Sequence, residues 1–513
     1  MTIRKQTTML AVDWPAVVVV VAGLVSGSWI ASLLLTRVDG LSAPPYDLAF
    51  FQQIVWNVGT SGQWISSFHV GSFLGLHFSP LLVVPALIER FVWSDVRVLT
   101  GFHIVALGVL VPAAFLFVRA VLRPSRHAGV VAAGLVLGIP AWGAMQGVIR
   151  SDFHPELAGV VLALLAGWAG LTGRSRAMWL FAILALLTRE DVAYAVGTVG
   201  LVVAVRDHGH ARPQGRALAI FATIWAIVVF GAVMPWIRGG ADSDTAGYYA
   251  WLGGGLGVLA APFTKTGLVV AAITRPAPWF VLLGMVGALA TLPLLRPRWL
   301  LLSLPPFLAI LLSSHYEQAD FLLQYPLIVV VPLIAAAGMG GRRALVITHW
   351  IGRRRRSLRR LGMARHSASP GRRLLAPLIP VVILILVALP ALADSLLQGS
   401  LPPIDRRDSA FLPRPASIGR LLRVAAFVPA EASLIVDEGL LAPLAGRTRI
   451  GRLGAPPSPE AYVLIDRMAW SPNGPVADMH AETIKSMADG LRSVVADDGR
   501  FILWGPRPAT AAP

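Results

Sequence analysis

The segment Arg150-Ser-Asp-Phe-His-Pro-Glu156 places four ionisable side chains in seven residues, with apolar runs on either side. Carboxylates supply general bases and hard-metal ligands, and histidine serves either role. The same side-chain types recur elsewhere. They are found in Pro44-Pro45-Tyr46-Asp47, Leu76-His77-Phe78-Ser79-Pro80, Arg189-Glu190-Asp191 and Ser314-His315-Tyr316-Glu317. The plain alternative for the first segment is a capped, solvated turn, with Asp152 as N-cap and Pro155 in the first turn of the next helix.

The elements that must position these groups are apolar. The chain has 513 residues, 56% hydrophobic and 14% charged, against roughly 25% charged in a soluble protein. Composition therefore excludes a soluble enzyme, and the length of the runs predicts membrane-spanning helices rather than barrel strands. The runs fall near 15–36, 97–118, 128–148, 156–172, 177–188, 192–205, 217–236, 278–295, 299–313, 321–340 and 374–393. That is about eleven crossings, the fifth and sixth being a tight hairpin or one broken helix. The uncharged run Trp14 to Thr36 follows Arg4 and Lys5 and reads as a retained anchor.

Basic loops set the orientation. Arg4 and Lys5, Arg119 to Arg126, Arg174 and Arg176, Arg206 to Arg216, Arg296 and Arg298, and the stretch Arg342 to Arg373 fall on the cytoplasmic side. The N-terminus is then cytoplasmic, in an integral plasma-membrane protein. Residues 37–96, 149–155, 189–191, 237–277, 314–320 and everything after 394 lie outside. A charge at the centre of an isolated span costs about 2.5–3.5 kcal/mol. The acids and imidazoles therefore belong at the outer boundary or in a wet, protein-walled cavity. In the loop 237–277, Leu256 to Pro262 is apolar but too short to span, and reads as interfacial or re-entrant.

The formal charge is +17, yet residues 400–513 hold 13 Lys/Arg against 12 Asp/Glu. The excess belongs to the membrane part, where it orients spans and suits lipid headgroups; nucleic acid is not implied. The absence of cysteine removes a thiolate nucleophile. No Gly-x-Ser-x-Gly elbow between strand and helix and no His-Glu-x-x-His motif supports a hydrolase. The predicted division is a transmembrane domain, 1–398, and a small soluble α/β domain, 399–513. In the latter, strands at 433–437, 461–466 and 500–504 alternate with helical patterns, notably Asp478 to Ala496, in a mainly parallel sheet. Pro402, Pro403, Pro413 and Pro415 mark the linker.

In order along the chain, Tyr46-Asp47-Leu48 with Trp56-Asn57, His77 to Pro80, Asp152 to Glu156, Arg189-Glu190-Asp191, Tyr249 to Gly253 and His315-Tyr316 form a set. That set resembles an uncharacterised family of prokaryotic polytopic membrane proteins, a domain of unknown function. The resemblance extends into the tail at Pro429 to Gly451 and Ala461 to Asp466. The family is similar to the C-type (GT-C) glycosyltransferases, which use sugars carried on polyprenyl phosphate. The resemblance implies a mainly α fold and transfer of such a sugar to an envelope glycan, lipid or protein on the extracytoplasmic face. It implies Asp47 as the first-loop acid and Asp152 as a second acidic position; on that reading Asp47 is the candidate base and Asp152 and Glu190 are further candidate catalytic acids. On the same reading a divalent metal, or Arg150, Arg189 or Lys265, stabilises the leaving phosphate, and Tyr46, Trp56, His315 and Tyr316 are candidates for binding the substrate. A divalent metal, Mg or Mn, would sit on Asp47, His77, Asp152 and His154. Where relatives carry Lys before the Glu-Asp pair, this chain has Arg189. The rival classes are a polytopic transporter or lipid flippase, which would place its ionisable groups near the midplane, and a non-catalytic envelope scaffold.

Overall fold

The computed structural model describes residues 13–42, 45–206, 211–241, 244–253, 257–360, 389–397, 417–453, 458, 460–469 and 492–507. They form a mainly helical body and a small C-terminal sheet. Helix α1 (Trp14–Asp39) is followed by α2 (Pro45–Ser61), α3 (Val83–Phe91) and α4 (Arg97–Leu122). Next come α5 (Ala128–Leu137), α6 (Gly143–Arg150), α7 (Pro155–Leu171), α8 (Ser175–Leu186) and α9 (Ala193–Arg206). Helix α10 (Ala211–Val228) continues through a π-helical turn to Ile237. Among the described residues, four helices are long and apolar enough to cross a bilayer: Trp14–Asp39, Arg97–Leu122, Ala211–Ile237 and Leu327–Ile351. Two bent pairs, Ala128–Ala141 with Gly143–Arg150 (50°) and Thr266–Ile273 with Pro276–Ala288 (41°), raise this to six.

The remaining predicted spans are shorter. Helix α7 has 17 residues and α8 has 12, below the 20 or so that a bilayer core requires. The eighth expected span begins earlier than its apolar run suggested, at Thr266, and kinks where Pro276 opens the second helix. The apolar segment from 256 forms the helix Gly257–Thr264. The tenth span does not stop at residue 340. One helix of 34 residues runs from Leu327 to Arg360, into the arginine run expected to be a loop. Arginine and leucine are good helix formers, and charge alone does not end a helix. The eleventh expected span, 374–393, the linker prolines and most of the helix expected over Asp478 to Ala496 lie outside the described residues. Residues 492–496 are described, and they are strand.

The sheet has five strands: β1 (Leu434–Val436), β2 (Ile450–Arg452), β3 (Tyr462–Asp466), β4 (Arg492–Asp497) and β5 (Phe501–Pro506), in the order β2-β1-β3-β5-β4. It is mixed rather than mainly parallel. β1 pairs parallel with β2 and β3, whereas β5 runs antiparallel to β3 and β4. The tight turn between β4 and β5, with Gly499 at φ +90°, permits that antiparallel pair.

The sheet docks on α2. Leu48, Phe51 and Ile54 share one apolar cluster with Leu421, Leu441 and Phe501. Gln53 reinforces the contact. Its Oε1 accepts from Ser66 Oγ (2.7 Å) and the Ser67 N–H (2.8 Å), while its Nε2 donates to the Arg447 carbonyl at 2.9 Å. Ser67 Oγ donates to the Ile450 carbonyl at 2.7 Å.

Candidate functional site

Asp47 lies in the first turn of α2, where the helix N-terminus favours negative charge. One turn on, Phe51 shares its face and meets both Phe153 (ring centroids 5.4 Å) and His154 (5.8 Å) edge-on. His154 caps the start of α7 through its backbone, with Pro155 next. The expected N-cap, Asp152, instead turns inward. It adopts φ +59°, a left-handed conformation that aspartate tolerates better than most residues, and its carboxylate is 3.5 Å from Arg37 Nη1. Both side chains are 2% exposed.

The imidazole has an acceptor on each side. His154 Nε2 is 3.5 Å from Asp47 Oδ2, and Nδ1 is 3.4 Å from the Asp152 carbonyl. Two flanking acceptors call for two N–H groups, which only the imidazolium carries. Burial opposes that charge, but Glu156 and then Asp47 outweigh it and raise the His154 pKa. Burial pushes the Asp47 carboxyl up; His154, then His77 and Arg189, more than compensate and hold it below its ordinary value. Burial dominates at Asp152 despite Arg37 and His154, raising its pKa to about 6. Asp47 keeps 40% side-chain exposure, whereas His154 has 3%. A solvent-reachable carboxylate is thus held by a buried cation.

A second cluster adjoins the first. Arg189 Nη1 pairs with Glu156, and its Nε is 3.5 Å from Asp191 and 3.8 Å from Glu190. Glu190 accepts from His77 Nδ1 at 2.9 Å and from the Phe78 N–H at 2.8 Å, strapping the first loop to the hairpin tip. The tip fits because residue 159 is glycine: a Cβ there would collide with Thr188 and Val192. His77 and Arg189 hold Glu190 low against burial, whereas burial and the neighbouring acids hold Asp191 high against Arg189.

Glu156, Arg189 and Asp191 border a partly open cavity, also lined by Gln318, Gln324 and Tyr325. His315 stacks on Tyr248 (4.7 Å, 12° between planes) and stands 6.2 Å from Tyr325.

The structure therefore gathers Asp47, His77, Asp152, His154, Arg189 and Glu190, with the His315 loop beside the cavity. Other expected residues sit differently. Arg189 is surrounded by carboxylates, an unsuitable setting for phosphate. Trp56 packs beside Gly446 under the C-terminal sheet. Tyr46 donates to the Phe68 carbonyl at 3.1 Å, and Lys265 Nζ donates to that of Trp251. Tyr316 is 68% exposed, and the Arg150 carbonyl accepts from Arg37 at 3.0 Å. Sequence reasoning missed Arg37, Gln324 and Tyr325 in these clusters. Among the described residues, no three His, Asp or Glu side chains are placed together to hold a metal ion. Asp152 is committed to Arg37 and His77 to Glu190, so the four expected ligands do not form a set.

A family model described as "Predicted membrane protein (DUF2079)" matches residues 37–453. The chain belongs to this family. The DUF2079 match runs from Arg37, the buried cation under Asp152, to the end of β2. No curated protein matches this DUF2079 chain. Solved structures with similarity to it include ArnT from Cupriavidus metallidurans bound to undecaprenyl phosphate. The two are 13% identical, with TM-score 0.47, over 98% of this chain and 100% of that one. The oligosaccharyltransferase AglB from Archaeoglobus fulgidus, in complex with an inhibitory peptide and a dolichol-phosphate, is 12% identical, with TM-score 0.40, over 88% and 69%. At these scores the likeness says nothing about activity.

Proposed function

We propose that this protein is a membrane glycosyltransferase that moves a sugar from a polyprenyl-phosphate donor to an envelope acceptor on the extracytoplasmic face. One observation carries the reading: Asp47, partly exposed, is held as a carboxylate by buried His154. The ordered motif set belongs to a family that is similar to the lipid-phosphate-dependent C-type glycosyltransferases, and that similarity supports the reading.

Asp47 takes the proton of the acceptor hydroxyl as its oxygen attacks the anomeric carbon. The bond from that carbon to the phosphate oxygen breaks, and the polyprenyl phosphate leaves with the electron pair. Lys265 is the cation we assign to the leaving phosphate. It is half-buried, and its ammonium has three donors, one of which meets the Trp251 carbonyl. His154 is a positioning residue that fixes the Asp47 carboxylate. No step is derived through a metal.

The test is transfer of labelled sugar from polyprenyl-phosphate donors by membranes containing the protein. Asp47→Asn is expected to lower transfer by about 10²- to 10⁴-fold, the usual worth of a general base, with expression unchanged. Transfer at the original rate would remove Asp47 from the mechanism.

A further inference from the structure

The cavity beside Arg189 has a chemical bias that the transfer reaction alone does not require. Glu156 and Asp191 line it, with Glu190 adjoining, so three carboxylates face one guanidinium. Three buried acceptors there lack any donor: Glu156 Oε2, Asp191 Oδ1 and Gln324 Oε1. One donor, Arg189 Nε, also has no hydrogen-bond partner. Gln324 is neutral, 9% exposed, and comes from the turn before the Leu327 helix rather than from the acidic tip. An unsatisfied buried polar group costs about 1–3 kcal/mol, so unpartnered acceptors on three side chains that line one cavity favour a ligand rich in donors. Tyr325, Ile310 and Ile328 add apolar wall.

We propose that this cavity is a subsite for a hydrogen-bond-donating polyol, the sugar being transferred, and that it excludes the lipid phosphate. This rests on the glycosyltransferase reading and assigns its parts. Sugar hydroxyls, or an ammonium on an amino sugar, bring the missing donors to Glu156, Asp191 and Gln324. A phosphate brings only acceptors and negative charge to a place already rich in both. Arg189 accordingly holds the acids in position and is not the phosphate's partner.

The experiment measures retention of three probes by the full-length protein in lipid nanodiscs, in the Asp47→Asn background so that nothing turns over. The probes are a polyprenyl-phosphate hexose, a polyprenyl-phosphate amino sugar and bare polyprenyl phosphate. Gln324→Leu is expected to weaken at least one sugar-bearing probe about tenfold, the equivalent of one lost hydrogen bond. Ala195→Phe, which fills the cavity from α9, is expected to do the same. Bare polyprenyl phosphate should bind both variants as before, which also reports an intact fold. Whether the hexose or the amino sugar responds tells which donor the cavity takes. Sugar-bearing probes unaffected by both variants, or all three probes weakened equally, would overturn the assignment. Cavity-dependent sugar binding without any transfer would instead sink the transferase reading alone.

Discussion

His154 is a charge placed where burial argues against it, and the consequence can be measured. Its pKa is raised above the unfolded value near 6.5, and that of Asp47 is lowered below 3.8. The stabilisation from the imidazolium is fully present below pH 6.5 and is lost as pH rises through the folded value. The part from Asp47 is present above 3.8 and is lost as pH falls through its folded value. Thermal unfolding in detergent should therefore show a stability decline above pH 6.5 that His154→Gln removes; a decline of equal size in the variant would refute the pairing. Arg37→Met leaves Asp152 buried without its cation, a change that typically costs about 3–5 kcal/mol. Because Asp152 takes up a proton near pH 6, the loss of Tm should be smaller at pH 5 than at pH 8. A pH-independent loss would mean that Arg37 contributes packing and not charge. Several of these residues were legible in sequence because ionisable groups in apolar surroundings must be paired or wet. Arg37 was not, since a cation at the end of a span is also what an ordinary flanking residue looks like.

At the level of elements, the site depends on three joints. The tip Glu190–Val192 nests against α7 only because Gly159 has no side chain. Gly159→Ala should displace the tip and loosen the Glu190 strap, seen as faster hydrogen exchange at the Phe78 amide; unchanged exchange would show that the neighbours give way. Glu190 itself fixes the His77 loop. Gln53 joins α2, the helix that carries Asp47, to the C-terminal sheet. Gln53→Leu should raise hydrogen exchange at Ser67 and Ile450 and lower transfer together, and exchange alone rising would make the sheet a passenger. Strands β1, β3 and β5 were readable from short apolar runs with flanking polar residues. β2 and β4 were not. Ile450-Gly-Arg is three residues long, and residues 492–496 sat in a helical pattern that tertiary pairing with β5 overrode. The Asp152 cap failed for a related reason: the side chain faces Arg37, distant in sequence, instead of a helix end.

For the whole molecule, apolar run length located the long helices. It did not show where they bend, because kinks at Pro276 and at Gly143 depend on packing as well as composition. The basic runs predict orientation, and the absence of cysteine allows a clean test. Val70, 95% exposed in the first loop, should as Val70→Cys react with an impermeant maleimide from outside the cell, whereas Arg354→Cys should react only after permeabilisation. The reverse pattern would place Asp47 on the cytoplasmic side and end the reading. The most direct test of the central claim is single-turnover sugar transfer by Asp47→Ala with and without added formate. The account predicts a loss of about 10²- to 10⁴-fold, partly restored when the small carboxylate occupies the emptied place beside His154. Transfer by Asp47→Ala at the original rate, formate making no difference, would contradict it.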